Sequence, residues 1–371
     1  MTSVPPSPGT PLDQIDTPAL IVDLDAFEAN LDAMRAFVED AGVRLRAHAK
    51  THKSVDVSRL QMTRGGACGV CVQKTAEAEA LVAGGITDVM ISNQVTAPAK
   101  IARVAALTEK ARILICADDA DNIATLSTAM TGRTSSLEVL VEIDVGNGRC
   151  GEKPGAPAVV LAQQIDAAKG LTFAGLQAYQ GHAQHIYDHA ERKAAVAEVV
   201  AQTADTVAML KAEGLTCDIV AGAGTGSHPF EAASDVYNEL QCGSYVFMDA
   251  DYGRVKNEGD APLGYQNALF VLTSIMSVAG EGRAVCDAGH KAASIDSGLP
   301  VVSGREHLTY NDASDEHGVI NDPKNMLKLN EKLWLIPGHC DPTVNLHDHI
   351  IGVRNGTVET VWPVSARGAS T

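Results

Sequence analysis

Arg44-Leu-Arg-Ala-His-Ala-Lys-Thr-His-Lys53 starts as a β-rich run and ends in a basic, histidine-bearing strip. A helical stretch, Val55–Thr63, follows, and then another β-rich run, Ala67-Cys-Gly-Val-Cys-Val72. The alternation continues. Further strands are predicted at Asp88–Ser92, Arg112–Ala117, Leu137–Asp144, Thr172–Ala178, Asp218–Ala221 and Leu240–Phe247, counting Arg44–Ala49 as the first. Helices are predicted between them at Thr75–Ala83, Ala97–Leu107, Asp121–Met130, Ala156–Ala168 and Asp188–Glu213, with a short piece near Phe230–Ala233. Gly84-Gly85 and Gly214 stand where left-handed helix ends are expected. The strands are continuous apolar runs rather than alternations, as parallel strands covered by helices should be. Eight such steps predict an α/β fold of the (β/α)8 barrel (TIM barrel) type, in which polar loops after the strands carry the active site.

From about Leu263 the rhythm changes. Ala268–Ser277, Arg283–Asp287, Leu333–Ile336, His349–Val353 and Thr357–Val361 read as strands separated by Gly, Pro and Asp turns. The expected organisation is a barrel over 24–260 and a mostly-β C-terminal domain over 261–371. The early strand Ala19–Val22, within 12–23 and ahead of a helix at Ala26–Glu39, can join that C-terminal sheet.

The net charge of −17 argues against a nucleic-acid or anionic-membrane partner, which would need a long basic stripe to track phosphates. Apolar runs such as Val139–Val145 are strand-sized, far short of the ~20 residues of a membrane helix. The start, Met1-Thr-Ser-Val-Pro-Pro-Ser-Pro8, lacks the basic and apolar regions of a signal peptide. Eight cysteines are scattered from Cys68 to Cys340. The lone Cys68/Cys71 pair sits in a strand pattern with no second pair, which suits structure better than metal. Reduced thiols in a cytoplasmic setting are expected.

The chemistry-bearing residues cluster after the predicted strands. Lys50 lies at the end of the first, where partial desolvation, with Arg46, His48, His52 and Lys53 around it, would lower the amine pKa and favour imine formation. The alternative is a solvated basic loop. Gly222-Ala-Gly224-Thr225-Gly226-Ser227 follows the seventh strand, where backbone amides and the Thr225 and Ser227 hydroxyls can cradle an anion. Gly243-Ser244, at the eighth, can close that cradle. Arg149 comes after the fifth strand behind two glycines, and its fork suits an anionic oxygen, though a surface turn would also explain it. Tyr179, Gln180, His182, Gln184 and His185 follow the sixth strand, and His185 is the general-base candidate. In the β domain, Pro337-Gly-His-Cys-Asp-Pro-Thr343 reads as extended, which would aim His339 and Asp341 to one side as a hard divalent-metal pair favouring Mn²⁺ or Mg²⁺. A structural turn is the alternative there, and His347/His349 repeat the spacing.

These pieces together resemble the fold-type III, alanine racemase-like pyridoxal-phosphate enzymes. They are most similar to the branch of metal-dependent D-threonine aldolases, 3-hydroxy-D-aspartate aldolases and D-serine dehydratases. The resemblance runs nearly end to end: Asp16-Thr-Pro-Ala-Leu20, Ala49-Lys-Thr-His-Lys53, Glu142-Ile-Asp-Val-Gly-Asn-Gly-Arg-Cys-Gly151, Gln177-Ala-Tyr-Gln-Gly181 and Gly224-Thr225-Gly226. It goes on through Glu239-Leu-Gln-Cys-Gly-Ser-Tyr-Val-Phe-Met-Asp249, Asp315-Glu-His-Gly318, His339-Cys-Asp-Pro-Thr343 and Trp362-Pro-Val-Ser-Ala-Arg-Gly368.

The resemblance implies that Lys50 holds pyridoxal 5′-phosphate as a Schiff base. It further implies that Arg149 contacts the cofactor's phenolic oxygen, Tyr179 its ring, and Gly224, Thr225, Gly243 and Ser244 its phosphate. His339 and Asp341 would bind a divalent metal, with His185 near the substrate hydroxyl, in a head-to-tail homodimer. Dehydratases of this type show His-x-Cys where the aldolases show His-x-Asp. His339-Cys340-Asp341 follows the aldolase pattern, so retro-aldol cleavage of a 3-hydroxy-D-amino acid to glycine and an aldehyde is expected. Dehydration of D-serine or 3-hydroxy-D-aspartate is the alternative. Ile295-Asp-Ser-Gly-Leu-Pro300 leans toward 3-hydroxy-D-aspartate over D-threonine. A racemase would need a second base and no metal, and a pyridoxal-phosphate carrier would not need the β domain.

Overall fold

The computed structural model describes residues 5–371. Strand β1 (Ala19–Asp23) leads into helix α1 (Leu24–Ala41), which starts where the Asp23 carboxylate accepts the amides of Asp25 and Ala26 and stops at left-handed Gly42. The barrel then winds as β2 (Arg44–His48), α2 (Val55–Thr63), β3 (Gly69–Val72), α3 (Thr75–Ala83), β4 (Asp88–Gln94) and α4 (Pro98–Leu107). It continues as β5 (Arg112–Ala117), α5 (Ala120–Met130), β6 (Leu137–Glu142), α6 (Ala156–Ala167), β7 (Leu171–Ala178), α7 (His189–Ala212), β8 (Ile219–Gly222), α8 (His228–Ala232) and β9 (Glu239–Leu240). Strands β2 to β9 are parallel and close on one another, β9 pairing with β2 at Arg44 and Leu45. The expected left-handed helix ends occur at Gly85 and Gly214, while Gly84 keeps a negative φ.

Inside the barrel, Cys71, Met90, Leu114, Cys116, Leu140, Ala174, Ile219 and Ala221 pack as one apolar layer. Below it lies a buried ionic floor. The Arg46 guanidinium meets Glu239, Nε to Oε1 at 2.7 Å, and also pairs with Asp88. In β7, Gly175 is left-handed, and a Cβ there would sit 1.8 Å from the Ile219 carbonyl oxygen; only glycine lets the two strands approach.

The C-terminal part comprises β10 (Leu269–Gly280), β11 (Arg283–Cys286), β12 (Val301–Val302), β13 (Thr309–Ala313), β14 (Gly318–Asn321), β15 (Lys332–Ile336), α9 (Cys340–Val344), β16 (His349–Arg354) and β17 (Thr357–Pro363). As expected, β1 joins this sheet, between antiparallel β10 and parallel β16. The second core, which fills the seam between barrel and sheet, gathers Phe27, Leu31, Tyr245, Phe247, Leu269, Ile350 and Trp362. Among the described residues no helix is long and apolar enough to cross a membrane.

Three local expectations change. The predicted eighth strand, Leu240–Phe247, is a two-residue strand followed by a tight turn over Ser244–Val246. Tyr245, Val246 and Phe247 are apolar because they enter the seam core, and a short apolar run does not by itself distinguish a strand from a buried turn. Strands β12, β13 and β14 were not anticipated, since β12 is only two residues long and Asn311, Asp312 and Asn321 interrupt the apolar pattern of the other two. The segment after Gly338 is not extended: His339 caps the N-terminus of α9 and Asp341 lies in its first turn.

Candidate active site

Ten of the residues singled out from the sequence, Lys50, Arg149, Tyr179, His185, Gly224, Thr225, Gly243, Ser244, His339 and Asp341, line one cavity at the C-terminal mouth of the barrel, whereas Gln180, His182, Gln184 and Ser227 do not. Lys50 sits in the turn that follows β2, and its Nζ lies 3.8 Å from Asp341 Oδ2. Of its four basic neighbours in sequence, only His48 shares the cavity. Strand alternation sends Arg46 inward to the ionic floor. His52 is buried, with Nε2 3.0 Å from Gln61 Oε1, and burial holds its pKa down to about 4. Lys53 pairs with Glu77 at 3.2 Å and donates to Asn345 Oδ1.

The expectation of a lowered Lys50 pKa is therefore corrected. Burial does push the amine down, but the Asp341 carboxylate, helped by Tyr179, outweighs it and the net shift is upward. His48 goes the other way: burial, then the Lys50 charge, hold it neutral. Its Nε2 lies 3.0 Å from Gln73 Nε2 and 3.4 Å from Ser92 Oγ, so two further polar groups face the cavity.

On the β6 side, Asp144 Oδ1 accepts the amides of Gly146 and Gly148, folding the loop that presents Arg149. The guanidinium carbon lies 5.7 Å from the Tyr179 ring centroid, and Nη2 is 3.9 Å from Glu142 Oε1. After β7, the His185 Nδ1–Asp251 Oδ2 distance is 2.6 Å, and that bond raises the imidazole pKa above its ordinary value. Asp251 also accepts the Tyr187 hydroxyl and pairs with Arg254, and its own pKa falls to about 2 despite burial.

The anion cradle forms from the loops after β8 and β9. The amides of Thr225, Gly243 and Ser244 donate to no acceptor among the described residues. The Thr51 hydroxyl, buried beside them, also lacks a partner. A Cβ on Gly243 would stand 2.6 Å from that hydroxyl oxygen, closing the space. Unpaired donors lining one cavity fit a phosphate, and with Lys50 in the same cavity they fit pyridoxal phosphate. Ser227, expected among the donors, instead points away: its hydroxyl donates to Glu231 Oε1 at 2.8 Å.

On the β-domain side, His339 Nδ1 is 2.8 Å from Asp296 Oδ2, which leaves Nε2 as the free ring nitrogen. Asp341 presents its carboxylate to the same cavity, whereas Cys340 is buried away from it. Among the described residues no group of three or more His, Cys, Asp or Glu side chains converges to hold a metal ion. An imidazole with a hard carboxylate nonetheless suits a divalent cation whose other positions stay open. His347 and His349 take no part, His347 Nε2 lying 2.8 Å from the Ala292 carbonyl and both residues sitting outside the cavity.

The sequence reading missed several cavity residues. Gln73 and Ser92 are lone polar residues at strand ends, without spacing to mark them, whereas Gln177 and Gln241 lie within the Gln177–Gly181 and Glu239–Asp249 motifs. Asp251 and Tyr252 follow directly on the Glu239–Asp249 motif, and that adjacency was the available signal. Asp249 lies behind them, accepting the amides of Tyr252 and Cys340, each at 2.9 Å.

Residues 22–251 match the family described as alanine racemase, N-terminal domain, and residues 268–353 the one described as putative serine dehydratase domain. The chain is 52% identical over 98% of its length to the 3-hydroxy-D-aspartate aldolase of Paracoccus denitrificans (strain Pd 1222), covering 95% of that protein. It is 47% identical over 99% of its length to the D-threonine aldolase of Arthrobacter sp, covering 96% of that protein. The D-threo-3-hydroxyaspartate dehydratase of Delftia sp. (strain HT23) is 31% identical over 89% of this chain and 92% of its own. The crystal structure of D-threonine aldolase from Filomicrobium marinum superposes with a TM-score of 0.96 at 48% identity, covering 99% of this chain and all of that one. The chain thus belongs to the alanine racemase-like family, in the branch of the 3-hydroxy-D-aspartate and D-threonine aldolases, and is a carbon–carbon lyase.

Proposed function

We propose that this chain cleaves 3-hydroxy-D-amino acids of the D-threonine or 3-hydroxy-D-aspartate type to glycine and an aldehyde, using pyridoxal phosphate and a divalent metal. The observation that carries this reading is the cavity itself. It sets the Lys50 amine 3.8 Å from Asp341, in one cavity with His339 and the unpaired amides of Thr225, Gly243 and Ser244.

Lys50 would hold the cofactor, Thr225, Gly243 and Ser244 with Gly224 would hold its phosphate, and Arg149 and Tyr179 would contact its phenolic oxygen and its ring. When bound, pyridoxal phosphate supplies the sink for the electron pair released as the Cα–Cβ bond breaks. His339 and Asp341 would hold the metal, with Mn²⁺ or Mg²⁺ favoured, which would supply the positive charge that makes the β-hydroxyl more acidic. His185 takes the hydroxyl proton at Nε2, because Nδ1 is engaged with Asp251, and that carboxylate stabilises the imidazolium. Protonation at Cα completes glycine. The barrel within 24–260 thereby supplies the cofactor wall, and 261–371 with 12–23 the metal wall.

A homodimer suits the exposed apolar residues Ile295 and Leu299 that flank Asp296 at the cavity rim. The eight free cysteines suit a reducing, cytoplasmic setting.

The test is product analysis with D-threonine and 3-hydroxy-D-aspartate, with and without Mn²⁺. Glycine formed only with metal is expected, and the ratio of rates ranks the substrates. Ammonia and a keto acid without glycine would refute cleavage. Lys50→Ala should remove the visible absorbance of lysine-linked cofactor.

A further inference from the structure

The loop carrying Asp296 is fastened to the His339 turn at several points. Asp296 Oδ2 lies 2.8 Å from His339 Nδ1, while Oδ1 accepts the Ser294 hydroxyl at 2.8 Å and Oδ2 the Ser297 hydroxyl at 3.3 Å. The Ser294 amide donates to Thr343 Oγ1, whose own hydroxyl donates to the His339 carbonyl at 2.8 Å. Arg254 ties the same loop to the barrel by donating to the Ser297 carbonyl at 3.1 Å. Gly298 and Gly338 are in such close contact that a Cβ on Gly338 would fall 2.0 Å from the Gly298 carbonyl oxygen. Asp296 is thus gripped by two hydroxyls and aimed at one ring nitrogen, and the ring that it orients borders the Lys50–Asp341 cavity.

A histidine whose Nδ1–H is given to a carboxylate has its proton fixed on that nitrogen. Its Nε2 lone pair is then free, oriented and more basic, which is the arrangement that tightens a metal–imidazole bond. We infer that Asp296 is a positioning residue: by accepting from His339 Nδ1–H it holds the imidazole in the tautomer and orientation that make Nε2 a metal ligand. This rests on the reading of His339 and Asp341 as the metal pair. It also gives the Ile295–Pro300 run, otherwise only a family marker, a physical task.

The test is Mn²⁺ titration of the pyridoxal-phosphate-loaded protein, followed by the electron paramagnetic resonance signal of free Mn²⁺. Asp296→Ala and Asp296→Leu, neither of which can accept from Nδ1, should weaken Mn²⁺ binding roughly ten- to a hundred-fold. The visible absorbance of the bound cofactor should stay as in the parent. Asp296→Asn keeps an acceptor oxygen and should recover most of the affinity. Parental affinity in the Ala or Leu variant, or an Asn variant no better than Ala, would overturn the assignment. His339→Ala separates the two levels. If it too binds Mn²⁺ like the parent, the metal pair itself is wrong; if it alone loses binding, the pair stands and the role of Asp296 falls.

Discussion

His185 and Asp251 are joined by a 2.6 Å hydrogen bond at the cavity mouth, linking the turn after β7 to the turn after β9. The bond holds the imidazole pKa above its ordinary value, so the base form that the proposed proton removal requires dominates only at higher pH. Replacing Asp251 by Asn removes the charge but keeps an acceptor, which lowers the His185 pKa. The acidic limb of the kcat/KM profile should therefore move to lower pH in Asp251→Asn, and an unmoved limb would take His185 out of the proton-transfer role.

Gly243→Ala tests the cradle. The added Cβ meets the Thr51 hydroxyl oxygen at 2.6 Å and the His48 carbonyl oxygen at 3.0 Å, so the loop must shift away from where its amides converge. Dialysis against cofactor-free buffer should strip pyridoxal phosphate from this variant at least ~10-fold more readily than from the parent, an effect of ~1.4 kcal/mol. Retention equal to the parent would argue against an anion site at Gly243 and Ser244.

Arg46→Met tests the barrel floor. The guanidinium is nearly inaccessible and its partner Glu239 equally so. Removing the cation leaves the buried Glu239 carboxylate with only the half-exposed Arg44, 3.3 Å away, so a loss up to about 3 kcal/mol is expected in denaturant unfolding. Double replacement of Arg46 and Glu239 by apolar residues should recover part of it.

Glu231 lies fully enclosed behind the cradle, with one oxygen bonded to Ser227 and the other without a partner, and burial raises its pKa to about 7. Between its ordinary value of 4.5 and about 7 the native state keeps a proton that the unfolded chain has lost. This group's contribution to stability thus declines as pH rises through that window, by about 3 kcal/mol in all, and is level above it. Glu231→Gln mimics the protonated form, so the parent-minus-variant difference in stability should change across that window and stay constant above it. A flat difference from pH 4 to 8 would indicate an ordinary carboxylate.

The barrel was legible because its strands are continuous apolar runs and its helices carry periodic faces, both dictated by burial on known sides. The eighth strand was misjudged because Tyr245–Phe247 is equally apolar for another reason, the seam between barrel and sheet. Within the cavity, residues with distinctive chemistry or spacing, such as Lys50 and the Gly224 loop, could be found from sequence. His339 and Asp341 were found through an extended-chain argument that the local helix contradicts. Both border the cavity all the same, His339 as helix cap and Asp341 from the first turn. Asp296 and Asp251 act on other residues from distant loops, and no linear spacing records a partnership made only by folding.

The position of β1 has one more consequence. Ile21 faces Phe270 on one side and Ile351 on the other, so a strand made before the barrel finds its neighbours only after it. The barrel strands can close as the ribosome proceeds, but β1 must wait exposed until β10 and then β16 emerge. Its docking draws the two ends of the chain together beside the seam core. The part of the chain that carries His339 and Asp341 is thus completed late, and a nascent chain that stalls after the barrel leaves an unpaired apolar strand open to the wrong neighbour.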